Sequence, residues 1–225
     1  MSSPEPELTH KGSSGSCPLC RQSAAQFYHR DKFRDYYQCA RCALVFVPPA
    51  YHLSPQAEKA YYELHENSLE DEGYRRFLDR CAKPVLARLS PASRGLDFGC
   101  GPAPLLARMF EERGHSVSTY DLYFQPDASV LDCRFDFIVS TEVIEHLANP
   151  MVVLTRLWHQ VDAGGILALM TKLVASPERF ASWHYIRDPT HIVFFSVETF
   201  HWLAKQLSAT VEFPSPDVIL LTKPD

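Results

Sequence analysis

The chain has 225 residues, 46% of them hydrophobic and 22% charged, with a formal net charge of −5. This is soluble globular composition, long enough for one full domain and a small module. The acidic balance weighs lightly against a protein that coats nucleic acid over its whole surface, and no apolar run approaches the ~20 residues of a membrane span.

Residues 1–16, MSSPEPELTHKGSSGS, are rich in Ser, Pro, Gly and Glu and are expected to form a disordered tail. They lack the apolar centre of a signal peptide. Seven cysteines, an odd number, favour a reducing compartment. The expectation is a cytoplasmic protein.

Four of those cysteines follow at once. CPLC at 17–20 and CARC at 39–42 place Cys17, Cys20, Cys39 and Cys42 in a C-x2-C-x18-C-x2-C pattern. A tight turn between paired cysteines aims both sulfurs at one point, and two such turns complete a tetrahedral thiolate site for Zn²⁺. With YYQCARCALVFV supplying strands, residues 17–45 read as a zinc ribbon. Four thiolates leave no open position, so this zinc is structural. The ribbon carries Arg21, Arg30, Lys32, Arg34 and Arg41 against Asp31 and Asp35. That balance can contact RNA phosphates, although the plainer reading, which we prefer, is a solvated face on a scaffold.

Residues 46–90 read as a helical linker, with Tyr74, Phe77, Leu78 and Cys81 at helical spacing and Pro84 marking a kink or a boundary. Residues 91–225 then alternate short apolar strands with amphipathic helices. Strands are expected at 94–100, 116–121, 135–141 and 166–171, and helices at 103–114, 149–165 and 196–207. TVEF and DVILLT make two closing strands. Such alternation predicts an α/β fold with a mostly parallel sheet, helices on both faces and ligands at the carboxyl ends of the strands.

LDFGCGPAP joins the first of these strands to a helix, with Gly99 and Gly101 permitting a sharp turn. Asp121 ends the next strand, where a carboxylate can accept both hydroxyls of a ribose. The spacing also fits a dinucleotide fold, but the third glycine of G-x-G-x-x-G falls on Pro104, which lacks an amide for a pyrophosphate.

In order and spacing, GLDFGCGPAP, the Tyr120–Asp121 pair, FDFIVSTEVIEHLANP and GGILALMT resemble the class I S-adenosylmethionine-dependent methyltransferases over most of residues 94–171. The resemblance implies a Rossmann-like sheet, mostly parallel with an antiparallel last strand. It also implies that Asp97 and the Gly99–Gly101 turn hold the methionine end of S-adenosylmethionine and Asp121 its ribose, with Glu142 facing the same pocket. Ala103 stands at the third position of the family's glycine triplet, and the stretch after Asp121 is short, leaving Asp132 or Asp127 as the acid near the adenine. An intact set of Asp97, Gly99, Gly101 and Asp121 argues against a third reading, a non-catalytic domain that binds a nucleoside or a partner.

TEVIEHLANP places Glu142, Glu145 and His146 at offsets of three and four, on one face if the segment is helical. The cluster resembles one in small-RNA 2′-O-methyltransferases and ubiquinone-pathway O-methyltransferases, where a histidine from a later loop completes a divalent-metal site. His191, in WHYIRDPTHIVFFS, stands at the matching place. The resemblance implies a second metal on Glu142, Glu145, His146 and His191. Two oxygens and two imidazoles suit Mn²⁺, Fe²⁺, Co²⁺ or Zn²⁺ better than Mg²⁺. Without a metal, His146 or His191 is the candidate general base. Residues 172–195 are long for a connector, and Trp183, Tyr185, Arg187 and Asp188 are expected to form a lid over the acceptor. The W-x-Y-x-x-D-P-T-H loop also resembles a bacterial group of ribbon-bearing methyltransferases. The expected reaction is methyl transfer to a hydroxyl of a small molecule, with RNA docked on the ribbon as the alternative.

Overall fold

Apolar runs buried on both faces make the central sheet, because each strand has a helix layer to meet on either side. A computed structural model describes residues 15–64 and 68–225. Residues 1–14, most of the expected disordered tail, lie outside the described residues. The sheet comprises β4 (Arg94–Phe98), β5 (Ser116–Tyr120), β6 (Phe135–Thr141), β7 (Val161–Met170), β9 (Thr210–Ser215) and β10 (Val218–Thr222), in the order β5-β4-β6-β7-β10-β9. β4 to β7 pair in parallel, and β10 runs antiparallel to both its neighbours. The sheet is therefore mostly parallel with an antiparallel last strand, as expected.

Side chains alternate between the two faces. Phe137, Val139, Ala168 and Leu220 pack with α2 (Glu72–Leu86) and α3 (Leu105–Glu111). Ile138, Leu167, Leu169 and Ile219 face α4 (Pro150–Gln160) and α6 (Val197–Leu207). The larger of these side chains contribute about 1.5–3 kcal/mol each on burial, so the two layers hold the sheet in place beneath the site.

Two expectations change. The helix expected over 149–165 stops at Gln160, and β7 begins at Val161. A Cβ on Gly165 would lie 2.6 Å from the Asp136 carbonyl, so this glycine admits close strand approach rather than capping a helix. The helical reading of the 46–90 linker resolves into α1 (Pro55–Tyr62) and α2, and Pro84, expected at a kink or a boundary, lies inside α2.

The cysteine-bearing segment forms β1 (Ala25–Arg30), β2 (Asp35–Cys39) and β3 (Val45–Phe46). A fourth strand, β8 (Val193–Phe194), arrives from the long connector after β7, which also holds α5 (Pro177–Ala181). Val45 pairs with Phe194 and Phe46 with Val193, giving the sheet order β1-β2-β3-β8. Tyr36, Val45, Phe180, Tyr185, Ile192 and Phe194 then form one apolar cluster across this junction.

Candidate active site

The turn after β4 needs glycine for steric reasons. Gly99 has φ +79°, and a Cβ there would lie 2.3 Å from Val143 Cγ2. Its amide donates to the Tyr120 carbonyl at 2.7 Å, tying the turn to β5. Asp121 then organises the rim: Oδ2 accepts the Gly101 amide at 3.0 Å, and Oδ1 accepts those of Tyr123 (2.8 Å) and Phe124 (3.1 Å). Gly99, Gly101, Asp121 and Glu142 line a cavity of about 990 Å³ at the carboxyl ends of the parallel strands. Leu131, Val153 and Leu157 give it an apolar wall suited to a flat base.

Asp97 sits beneath this turn rather than on the cavity wall. It is 2% exposed, accepts the Ala107 amide at 3.3 Å, and is pushed up to about 7 by burial, with the Asp121 charge adding to the effect. Neither candidate adenine acid lines the cavity. Asp127 caps its own turn through Ser129, and Asp132 pairs with Arg156 at 3.6 Å.

After β6 the chain takes no helical face. Glu142 has φ +53°, and a single 3-10 turn spans Ile144–His146. As a result Glu145, His146 and His191 converge, with one ligand atom from each inside 4.8 Å of the others, and Glu142 stands outside that group. Its Oε1 is buried without a partner, and burial pushes its carboxyl up, opposed by Lys172 nearby. Glu145 is fully buried: Oε1 accepts the Tyr185 hydroxyl, and Oε2 has no partner. Burial and then the Glu142 charge hold its carboxyl well above the usual range.

Both imidazoles are oriented from behind. His146 Nδ1 lies 3.2 Å from the Thr190 carbonyl, and His191 Nδ1 lies 2.8 Å from that of Tyr185. A carbonyl only accepts, so each Nδ1 carries the proton and each Nε2 keeps a free lone pair. Burial lowers both, His146 to about 4, so both rings are neutral, the form that ligates metal. The ring centroids are 4.7 Å apart.

Of the expected lid, Tyr185, Arg187 and Asp188 line the cavity. Trp183 instead packs on Tyr185 and Phe194, at 5.0 and 6.1 Å, on the side facing the cysteine-bearing sheet. Helix α1 supplies an unexpected wall. The Tyr62 and Tyr123 hydroxyls both donate to Glu58 at 2.9 Å, and the Tyr62 ring meets His146 edge-on at 5.3 Å. Tyr61 and Tyr62 stand three and four positions after Glu58, a helical face whose spacing is visible in the sequence.

In the ribbon, the Cys17 and Cys42 sulfurs lie 3.6 Å apart and those of Cys20 and Cys39 3.3 Å apart. All four fall within 4.8 Å of one another, close to the ~3.8 Å edge of a tetrahedron with zinc–sulfur bonds of 2.3 Å. Cys17 is drawn down to about 5 by its contact with Cys42, which the same contact pushes far up. Only a bound cation stabilises all four thiolates together, and the cluster fits zinc.

The sequence profile of the methyltransferase domain family matches residues 68–212. The chain belongs to that family. It is a class I S-adenosylmethionine-dependent methyltransferase, with a cysteine cluster that fits a zinc ribbon. Among solved structures, an O-methyltransferase family protein from Burkholderia thailandensis shares 12% identity, covering 78% of this chain and 62% of that one with a TM-score of 0.53. Magnesium protoporphyrin IX methyltransferase from Synechocystis PCC 6803, solved with bound SAH, shares 14% identity over 67% of this chain and 83% of that one, with a TM-score of 0.49. No curated protein matches the methyltransferase. Among its described residues, no helix is long and apolar enough to cross a membrane.

Proposed function

We propose that the methyltransferase transfers the methyl group of S-adenosylmethionine to a hydroxyl of a small molecule, with a divalent metal on Glu145, His146 and His191. The observation that supports this is the pair of neutral imidazoles tied at Nδ1 on the cavity wall, with a carboxylate oxygen of the fully buried Glu145 within 4.8 Å of both ligand nitrogens and its Oε2 unpartnered. Two imidazoles and a carboxylate suit Mn²⁺, Fe²⁺, Co²⁺ or Zn²⁺. A metal bound there supplies Lewis acidity that lowers the pKa of an acceptor hydroxyl.

The rest is alignment. Methyl transfer from a sulfonium is an in-line displacement: the acceptor oxygen forms the new bond to carbon as the carbon–sulfur bond breaks and its electron pair stays on sulfur. Asp121 and the Gly99–Gly101 turn hold the cofactor, with Asp97 bracing that turn from below. Tyr62 and Tyr185 exclude water from the acceptor. If no metal binds, the Nε2 atoms of His146 and His191 are the groups that accept the hydroxyl proton.

The small-molecule acceptor is favoured over RNA because most of the ribbon's cations contact other groups of the protein. Arg30 pairs with Asp35, Arg21 donates to Asn149 at 2.8 Å, and Arg41 lies over the Trp202 ring at 5.9 Å. We read 17–45 as a structural zinc ribbon, 46–90 as a linker and 91–225 as the methyltransferase domain. Free thiols at the zinc cluster suit the reducing cytoplasm. The test is transfer of labelled methyl from S-adenosylmethionine into cell extract, with and without Mn²⁺. Label in the small-molecule fraction is expected, and label lost on nuclease treatment overturns the acceptor assignment.

A further inference from the structure

We propose that Arg34, in the ribbon hairpin, is a positioning residue for His191, so that the ribbon shapes the acceptor side of the cavity. The proposal rests on the reading that His191 serves the acceptor. Arg34 is 6% exposed, and every one of its guanidinium N–H groups has an acceptor. Nη1 donates to the carbonyls of Pro189 (3.2 Å) and His191 (2.9 Å), and Nη2 to those of Ile186 (2.5 Å) and Asp188 (3.0 Å). Nε donates to the Tyr36 hydroxyl at 3.2 Å, and that hydroxyl donates to Asp31 at 2.6 Å.

Four carbonyls from residues 186–191 thus converge on one planar cation. Carbonyls at such a point repel one another unless a donor sits among them, so the path of this loop is drawn around the guanidinium. The loop carries both ends of the contact that orients the ring, the Tyr185 carbonyl and His191 Nδ1. It also carries the Tyr185 hydroxyl that binds Glu145.

A second set of bonds fixes the next residue. The Val47 amide donates to the Ile192 carbonyl at 2.8 Å, and the Ile192 amide donates to the Glu145 carbonyl at 2.9 Å. The peptide beside His191 is held between Val47, just past the ribbon, on one side and Glu145 on the other. Lysine cannot replace Arg34 here, because its three donors radiate from one atom and cannot reach four spaced carbonyls.

The experiment uses the full-length, zinc-loaded protein. Long-range proton–nitrogen NMR of the imidazoles reads the His191 tautomer, and a Mn²⁺ titration followed by EPR reads the cluster. In the wild type, His191 is expected wholly as the Nδ1–H tautomer. In Arg34→Lys that tautomer is expected to give way to a mixture, and Mn²⁺ affinity to fall about 10- to 100-fold. Zinc content and SAH affinity should stay within about twofold, and Arg41→Gln, on the same ribbon, should change neither readout.

An Arg34→Lys protein with an unchanged tautomer and unchanged Mn²⁺ affinity overturns the proposal. Should that variant fail to fold, Tyr36→Phe removes one acceptor of the five, and an unaltered His191 signal there counts against the proposal equally. Absence of Mn²⁺ binding in the wild type refutes the metal reading alone. The tautomer then decides the role of Arg34 by itself.

Discussion

The two walls of the cavity are built in different ways. The cofactor wall is centred on one short stretch, residues 98–124, with Leu131, Val153 and Leu157 completing it, and the contacts of its rim are local: the Gly99 amide on Tyr120, and the Gly101, Tyr123 and Phe124 amides on Asp121. The acceptor wall is gathered from Tyr62 in α1, His146 after β6 and His191 more than forty residues later, backed by the buried Glu145 and by Arg34 in the ribbon. A wall made of neighbouring residues folds with its sheet. One gathered from distant segments depends on whatever holds those segments together, and here that is the ribbon and its cysteines.

The largest expected effect separates the walls outright. Replacing Cys39 and Cys42 by serine removes the zinc site and loosens the sheet that β8 completes. Turnover should fall at least about a hundredfold through misplacement of the acceptor groups, while SAH affinity, measured by calorimetry, stays within a few fold. Equal loss of both would show that the walls are one cooperative unit.

Asp121→Ala attacks the other wall. It takes away a charged acceptor of three amides, and hydrogen bonds to charged groups contribute about 1.5–3 kcal/mol. S-adenosylmethionine should bind about tenfold more weakly, with Mn²⁺ affinity unchanged. A shift in Mn²⁺ affinity would mean the walls communicate.

The smallest effect is a pH slope. Asp97 is raised from an unfolded value of 3.8 to about 7, so between those values the folded state holds a proton that the unfolded state has released. Its contribution to stability is greatest at acid pH, declines as pH rises from about 4 to about 7, and is constant above. The decline is at most about 1.4 kcal/mol per pH unit. Thermal melting of Asp97→Asn should show a flatter profile over that window. An identical profile would place the Asp97 carboxylate in a solvated site.

The same contrast governs what the sequence discloses. The cofactor wall is legible because its signals are local: a strand, two glycines at fixed spacing and an acid at the end of the next strand. The sheet is legible because buried strands such as 135–141 leave long apolar runs. The acceptor wall is less so. Glu142, Glu145 and His146 share a face only on a helix, and the left-handed backbone at Glu142 prevents one. β8 is two residues long and pairs with β3 across nearly 150 positions, so no local pattern announces it. Trp183 looks like a lid residue in sequence, yet once β8 joins the ribbon its half-buried ring packs against Phe180 and Phe194. Arg34 gives no signal in sequence, being one cation among several on a hairpin.

The proposed metal site joins the buried Glu145 to His146 and His191 at the acceptor wall. EPR titration of the zinc-loaded protein with Mn²⁺, in wild type and His191→Ala, tests it most directly. One Mn²⁺ per wild-type chain is expected, lost in His191→Ala with SAH affinity unchanged. Wild-type protein that binds no Mn²⁺, or His191→Ala that binds it as tightly, would contradict it.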